Sequence, residues 1–144
     1  MGRLAEASVA QLRAERDETL RSLLSLAEPD CRLPARWAGT DRTVNFLLRQ
    51  FSGHQLDHLQ HLQKLLRDRG RSSTEAEILL GKAHALQGEI EAIVLSLSDE
   101  ELTETGPNDG DWSAQRIVEH LGEVERGYRE EIRSSVQRHH GAGA

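Results

Sequence analysis

The sequence predicts an all-α chain folded as a four-helix bundle, on three observations. Apolar residues recur at alternating steps of three and four over long segments, no stretch sustains strand-like alternation, and Pro/Gly-rich breaks leave four such segments. The first helix is expected over roughly residues 4–27, with Val9, Leu12, Leu20, Leu23 and Leu24 set among charged residues. Pro29 and Pro34 then interrupt, and residues 28–40 read as a loop. Asp41 is placed as the N-cap of the second helix, which runs to Arg69 and stops at Gly70.

Ser73 or Thr74 opens the third helix, and Glu77 is suitably spaced for a capping box with Thr74. Its apolar series is Leu79, Ala83, Leu86, Ile90, Ile93 and Leu97. A second loop, 103–110, holds Gly106-Pro107-Asn108 and Asp109-Gly110, both turn signals. Asp111 or Ser113 caps the fourth helix, whose expected core face is Ile117, Leu121, Val124, Tyr128 and Ile132. A single domain over 1–140 and a disordered tail over 141–144 complete the reading. There is also an internal echo. Ser25-Leu26 and Ser96-Leu97 each precede an acidic turn, a Pro/Gly loop and an Asp-started helix, at Asp41 and Asp111. The echo suggests two related helix pairs and a pseudo-two-fold bundle.

Composition narrows the partners. The 144 residues carry a formal net charge of -6, which argues against a nucleic-acid backbone or an anionic membrane. Two Trp, one Tyr and two Phe leave no basic patch interleaved with aromatics. Cys31 is the only cysteine, so no intrachain disulfide forms, and it reads as an incidental thiol. The N-terminal residues lack the apolar run of a leader, and no window approaches a membrane-spanning length. A reducing cytoplasm is the expected compartment.

The most informative stretch is His54-Gln-Leu-Asp-His58-Leu-Gln-His61. The stripe Val44, Leu47, Phe51 before it and Leu65 after it step by threes and fours, and the three histidines occupy the intervening steps. Burying an imidazole without a partner costs about 1–3 kcal/mol, so three on one seam require partners. A metal ion is an economical one, because His side chains at i and i+4 project one turn apart from the same face. His54 and His58 supply two ligands, and His120 on the fourth helix is the candidate third. His61 is assigned to the pocket wall or outer shell. With Gln50 (the counterpart of His120 in the echo), Asp57, Trp112 and Glu123 it forms the candidate surround. Three such ligands with an open position suit Zn²⁺ or Ni²⁺ activating a water or a thiol. Residue pattern alone leaves the plainer alternative equally open: a partly solvated histidine face, with Gln55, Asp57 and Gln60 on its wetter side.

Two motifs resemble the DinB/YfiT superfamily of metal-dependent four-helix bundles. Asp111-Trp112-Ser113 followed by Ile117-Val118-Glu119-His120-Leu121 resembles that family's Trp-Ser motif with its ligand His, and His54-x-x-x-His58 resembles its paired-His helix. The order is exchanged: in the family the single His tends to lie on helix two and the pair on helix four. A pseudo-two-fold bundle tolerates the exchange, since swapping equivalent helices rebuilds the same triad. The resemblance implies a divalent metal, often zinc or nickel, and frequently a homodimer. It further implies a thiol-dependent transferase or a metal-dependent hydrolase acting on a small molecule, with a low-molecular-weight thiol as cosubstrate. The alternative is a non-catalytic stress-response or binding module on the same scaffold.

Overall fold

The computed structural model describes residues 2–141; residues 142–144, assigned above to the tail, lie outside the described residues. In chain order it contains α1 (Arg3–Leu23), a 3-10 turn (Asp30–Arg32), β1 (Pro34–Trp37), β2 (Thr40–Thr43), α2 (Val44–Asp68), α3 (Glu75–Leu95), α4 (Asp99–Thr103) and α5 (Ala114–Gly141). Helix dominates, as the hydrophobic periodicity requires. The chain divides into two compact units, Met1–Ala92 and Ile93–Ala144, with α3 running across the boundary.

In the first unit α1 stops short of the expected residue 27. The carboxylate of Asp30 accepts a hydrogen bond from the Ala27 amide at 3.0 Å, and the Asp30 amide donates to the Ala27 carbonyl at 2.9 Å. This local side-chain bond offers the backbone a turn in place of another helical turn. The segment expected to be a loop then holds a β-hairpin. Strands β1 and β2 pair antiparallel from Pro34↔Thr43 to Trp37↔Thr40. Ala38 and Gly39 both have positive φ, 48° and 77°, as a two-residue hairpin reversal with the right twist demands.

The hairpin also moves the start of α2. Asp41 is paired with Arg36 in the ladder and does not cap the helix. Thr43 does, its extended backbone presenting Oγ1 to the Phe46 amide at 3.2 Å. At the far end Gly70, at φ 64°, closes α2 as expected. Its amide reaches the Arg67 carbonyl and that of Arg71 the Leu66 carbonyl, both at 2.9 Å, which is the paired Schellman arrangement. Helix α3 begins with the capping box read from the sequence. The Glu77 amide donates to Thr74 Oγ1 at 3.2 Å and the Thr74 amide to Glu77 Oε2 at 3.0 Å. Arg71 pairs with the same Glu77 carboxylate.

In the second unit a short helix, α4, occupies Asp99–Thr103, where the sequence suggested only an acidic turn. Ser98 and Glu101 form its capping box, at 2.8 and 3.2 Å. Helix α4 packs on α5. Between them Asp111 accepts from both the backbone amide and the side-chain amide of Asn108, each at 2.9 Å. That leaves Ser113 as the cap of α5, its Oγ accepting from the Arg116 amide at 3.1 Å.

The apolar series along the helices are less covered than a bundle core would be. No described residue is buried, and Leu86, Tyr128 and Ile132 remain more than half exposed. An amphipathic stripe is covered only where another element lies on it. In the second unit α4 meets α5, and in the first the 3-10 turn and β2 meet α2. Among the described residues no helix is long and apolar enough to cross a membrane.

Two expectations follow. A Cβ added at Gly106 would sit 2.6 Å from Asp111 Cβ, whereas one at Gly53, inside α2, meets nothing within 4 Å. Gly106→Ala should therefore cost about 1–3 kcal/mol and Gly53→Ala gain about 0.5–1 kcal/mol; urea unfolding followed by circular dichroism measures both. The second concerns acid. The Thr74 and Ser98 backbone amides hold the Glu77 and Glu101 carboxyls below their ordinary 4.5. Both boxes contribute fully above that value and are lost as pH falls through the lower folded values. Amide-exchange protection at the α3 and α4 starts should fall there, and Glu77→Gln should remove the pH dependence at α3 alone.

Candidate functional site

Helix α2 places its three histidines on one face by its own period. The Nε2 atoms of His54 and His58 lie 3.1 Å apart, and the rings meet edge to face with centroids at 4.5 Å. One turn on, His58 Nδ1 lies 3.4 Å from His61 Nδ1, with centroids at 5.4 Å. His58 is thus engaged through both ring nitrogens. A neutral imidazole has one N–H and one lone pair. If His58 donates through Nδ1 to His61, its Nε2 must accept from His54; if it donates to His54, it must accept from His61. The row is directional in either case.

All three imidazoles are exposed, as are Gln50 and Asp57 on the same helix. Asp57 Oδ is in no ion pair with a described residue. The separation of the first pair fits a shared cation. Two imidazole nitrogens on one tetrahedral zinc, with bonds of about 2.0–2.1 Å, lie about 3.3 Å apart. Among the described residues, no group of three or more His, Cys, Asp or Glu side chains is gathered in the manner of a metal site.

His120, Trp112 and Glu123 belong to the second unit. His120 is half-buried on α5, its ring edge-to-face with Trp112 at a centroid distance of 4.9 Å. Its Nδ1 is 3.9 Å from Glu123 Oε2, an ion-pair separation but too long for a hydrogen bond. Glu123 is instead held by Arg116, whose two terminal nitrogens reach the two carboxylate oxygens at 3.1 and 3.4 Å. Arg116 also lies 5.4 Å over the Trp112 ring and 3.7 Å from Glu119. Sequence reasoning did not single out Arg116. The signal was present in its spacing, four residues after Trp112, three before Glu119 and seven before Glu123, which helical turns bring to one side.

Of the other polar residues, His139 Nδ1 lies 3.2 Å from the Ser135 carbonyl, His84 and His140 are exposed, and Cys31 is a half-buried free thiol in the 3-10 turn. The hydrogen bonds from Arg116, together with its charge, hold the Glu123 carboxyl below its ordinary value. Replacing Arg116 with Gln should return the Glu123 titration, followed by carboxyl NMR, toward that ordinary value. A Glu123 midpoint unmoved by the change would show that the guanidinium is not its partner in solution. Compared with known proteins, the chain matches no family model, no curated protein and no solved structure.

Proposed function

We propose that this chain is a DinB/YfiT-like divalent-metal protein on a four-helix-bundle scaffold, with His54 and His58 as two ligands and His120 as the third. The observation that carries the reading is the 3.1 Å approach of His54 Nε2 to His58 Nε2. Two nitrogens at that separation share either one proton or one cation. The bound ion, zinc or nickel, would act as a Lewis acid that lowers the pKa of a coordinated thiol or water at neutral pH.

The chain's own contributions follow from its hydrogen bonds. His61 Nδ1 lies 3.4 Å from His58 Nδ1, and with His58 as the donor of that bond the His58 Nε2 lone pair would be left for a ligand bond. Trp112 packs against His120 and restricts its ring. Arg116 keeps Glu123 ionised beside the same imidazole, so that a negative charge faces it. Thiol transfer to, or hydrolysis of, a small electrophilic substrate is the activity this arrangement supports.

Elemental analysis after loading with zinc or nickel tests the proposal. One ion per chain is expected for the native protein, with at least a hundredfold weaker binding in His54→Ala, His58→Ala and His120→Ala. His61→Ala should weaken binding by about ten- to a hundredfold, the range for an outer-shell partner. A native protein that takes up no metal, or a His58→Ala variant that binds as before, would leave only a solvated histidine face. Metal bound with all positions filled by protein would favour the non-catalytic module instead.

A further inference from the structure

Within the first unit, a shallow cavity of about 280 Å³ lies between α1 and α2. Its apolar wall is Leu20 and Leu23 from α1 and Leu24 at its C-cap, with Leu48 and Phe51 from α2. Four polar residues complete the lining. Thr19 and Ser52 are already committed, their hydroxyls donating to the Glu15 and Arg49 carbonyls at 3.0 and 3.2 Å. Arg16 and Gln55 are the other two.

Arg16 is the cation of the lining; like Arg49 and Arg67 on α2, it has no acid three or four residues away. The residues three and four positions away are Leu12, Arg13, Thr19 and Leu20, so no acid on its own helix lies within reach. It takes part in no ion pair with a described residue, as is also true of Arg3, Arg13, Arg49 and Arg67 on these two helices; only Arg21 is paired, with Glu18. The cavity lining contains one cation and no anion. Polarity is also graded along both walls. Along α1 and its C-cap the order is Arg16, Leu20, Leu24; on α2 it is Leu48, Phe51, Gln55. Each helix carries its head-group donor at the end of its wall farther along the chain from the α1–α2 connection, and its leucines nearer that connection.

We propose that this cavity binds a small amphiphilic carboxylate, its head group on the Arg16 guanidinium and the Gln55 amide, its apolar body against Leu20, Leu24, Leu48 and Phe51. A volume just below the usual range of about 300–1,000 Å³ for small-molecule pockets fits a chain of about eight carbons or a phenyl ring. A second copy of this chain is a poorer occupant, since two chains each of formal net charge -6 repel one another. The site uses none of the imidazoles and stands whether or not they bind metal.

Octanoate titrated calorimetrically into the full chain, with a chelator present so that no metal contributes, tests the proposal. Saturable 1:1 binding is expected, at least tenfold tighter than that of octan-1-ol. Arg16→Gln should weaken octanoate at least tenfold and bring it level with the alcohol. Arg13→Gln, one turn away and outside the lining, should change neither. Equal binding of acid and alcohol by the native protein, an unchanged affinity in Arg16→Gln, or no saturable binding would overturn the proposal. So would light scattering that shows a dimer from which octanoate is excluded, because the occupant would then be a second copy.

Discussion

The 3.6-residue period of α2 and α5 sets most of the contacts among the candidate functional side chains. His54 meets His58 across four residues and His58 meets His61 across three. Arg116 spans seven residues to Glu123, and His120 three. Each of these contacts exists because a helix continues unbroken between its partners. Tertiary packing, with no described residue buried, adds little to them. The candidate chemistry is therefore organised first at the level of the single helix. Gly53 and Gly122, which each cost an interior helix position about 1 kcal/mol, sit beside His54 and Glu123. Nothing within 4 Å of an added Cβ explains either.

The helix starts and stops were largely legible because they rest on short-range rules. A hydroxyl or carboxylate three residues before an orphan amide identifies a cap, and Thr74 with Glu77 was read correctly from spacing alone. So was the Gly70 stop, since a residue at φ 64° favours glycine. Ser113 was one of two offered caps, and its competitor Asp111 proved to be engaged with Asn108. The hairpin was not legible. Its strands are four residues long and nearly all exposed, so neither shows the apolar alternation by which half-buried strands are recognised. Its reversal carries alanine at the first positive-φ position, where asparagine or aspartate would have been the signal. Missing the hairpin displaced the start of α2 by two residues, from Asp41 to Thr43. The observed caps, Thr43 and Ser113, each lie two residues after an aspartate, Asp41 and Asp111. The intervening segments differ, one a hairpin and the other a short helix with a turn.

Helix α2 carries both candidate sites of the first unit. Successive residues are about 100° apart around a helix, so His54 and Gln55, adjacent in sequence, look in different directions. One side presents the row of imidazoles; the adjoining side, with Leu48, Ser52 and Gln55, walls the cavity against α1, and Phe51, two turns before His58, lies at the border of the two. The sequence revealed the first face because histidine is conspicuous among leucines. The second was hidden, because Phe51 at helical spacing read simply as core and Leu48 carried no signal of its own. What marks that face is the cavity itself, whose lining joins Arg16 of α1 with Gln55 of α2.

The double engagement of His58 has a thermodynamic consequence. A side chain bonded through both ends of its ring cannot turn over without giving up both bonds. A ligand at Nε2 takes the place of the bond to His54, and the contact with His61 is the one that already restricts the ring within the helix. Preorganisation of this kind strengthens association by reducing the ordering cost that binding must overcome, without any additional contact.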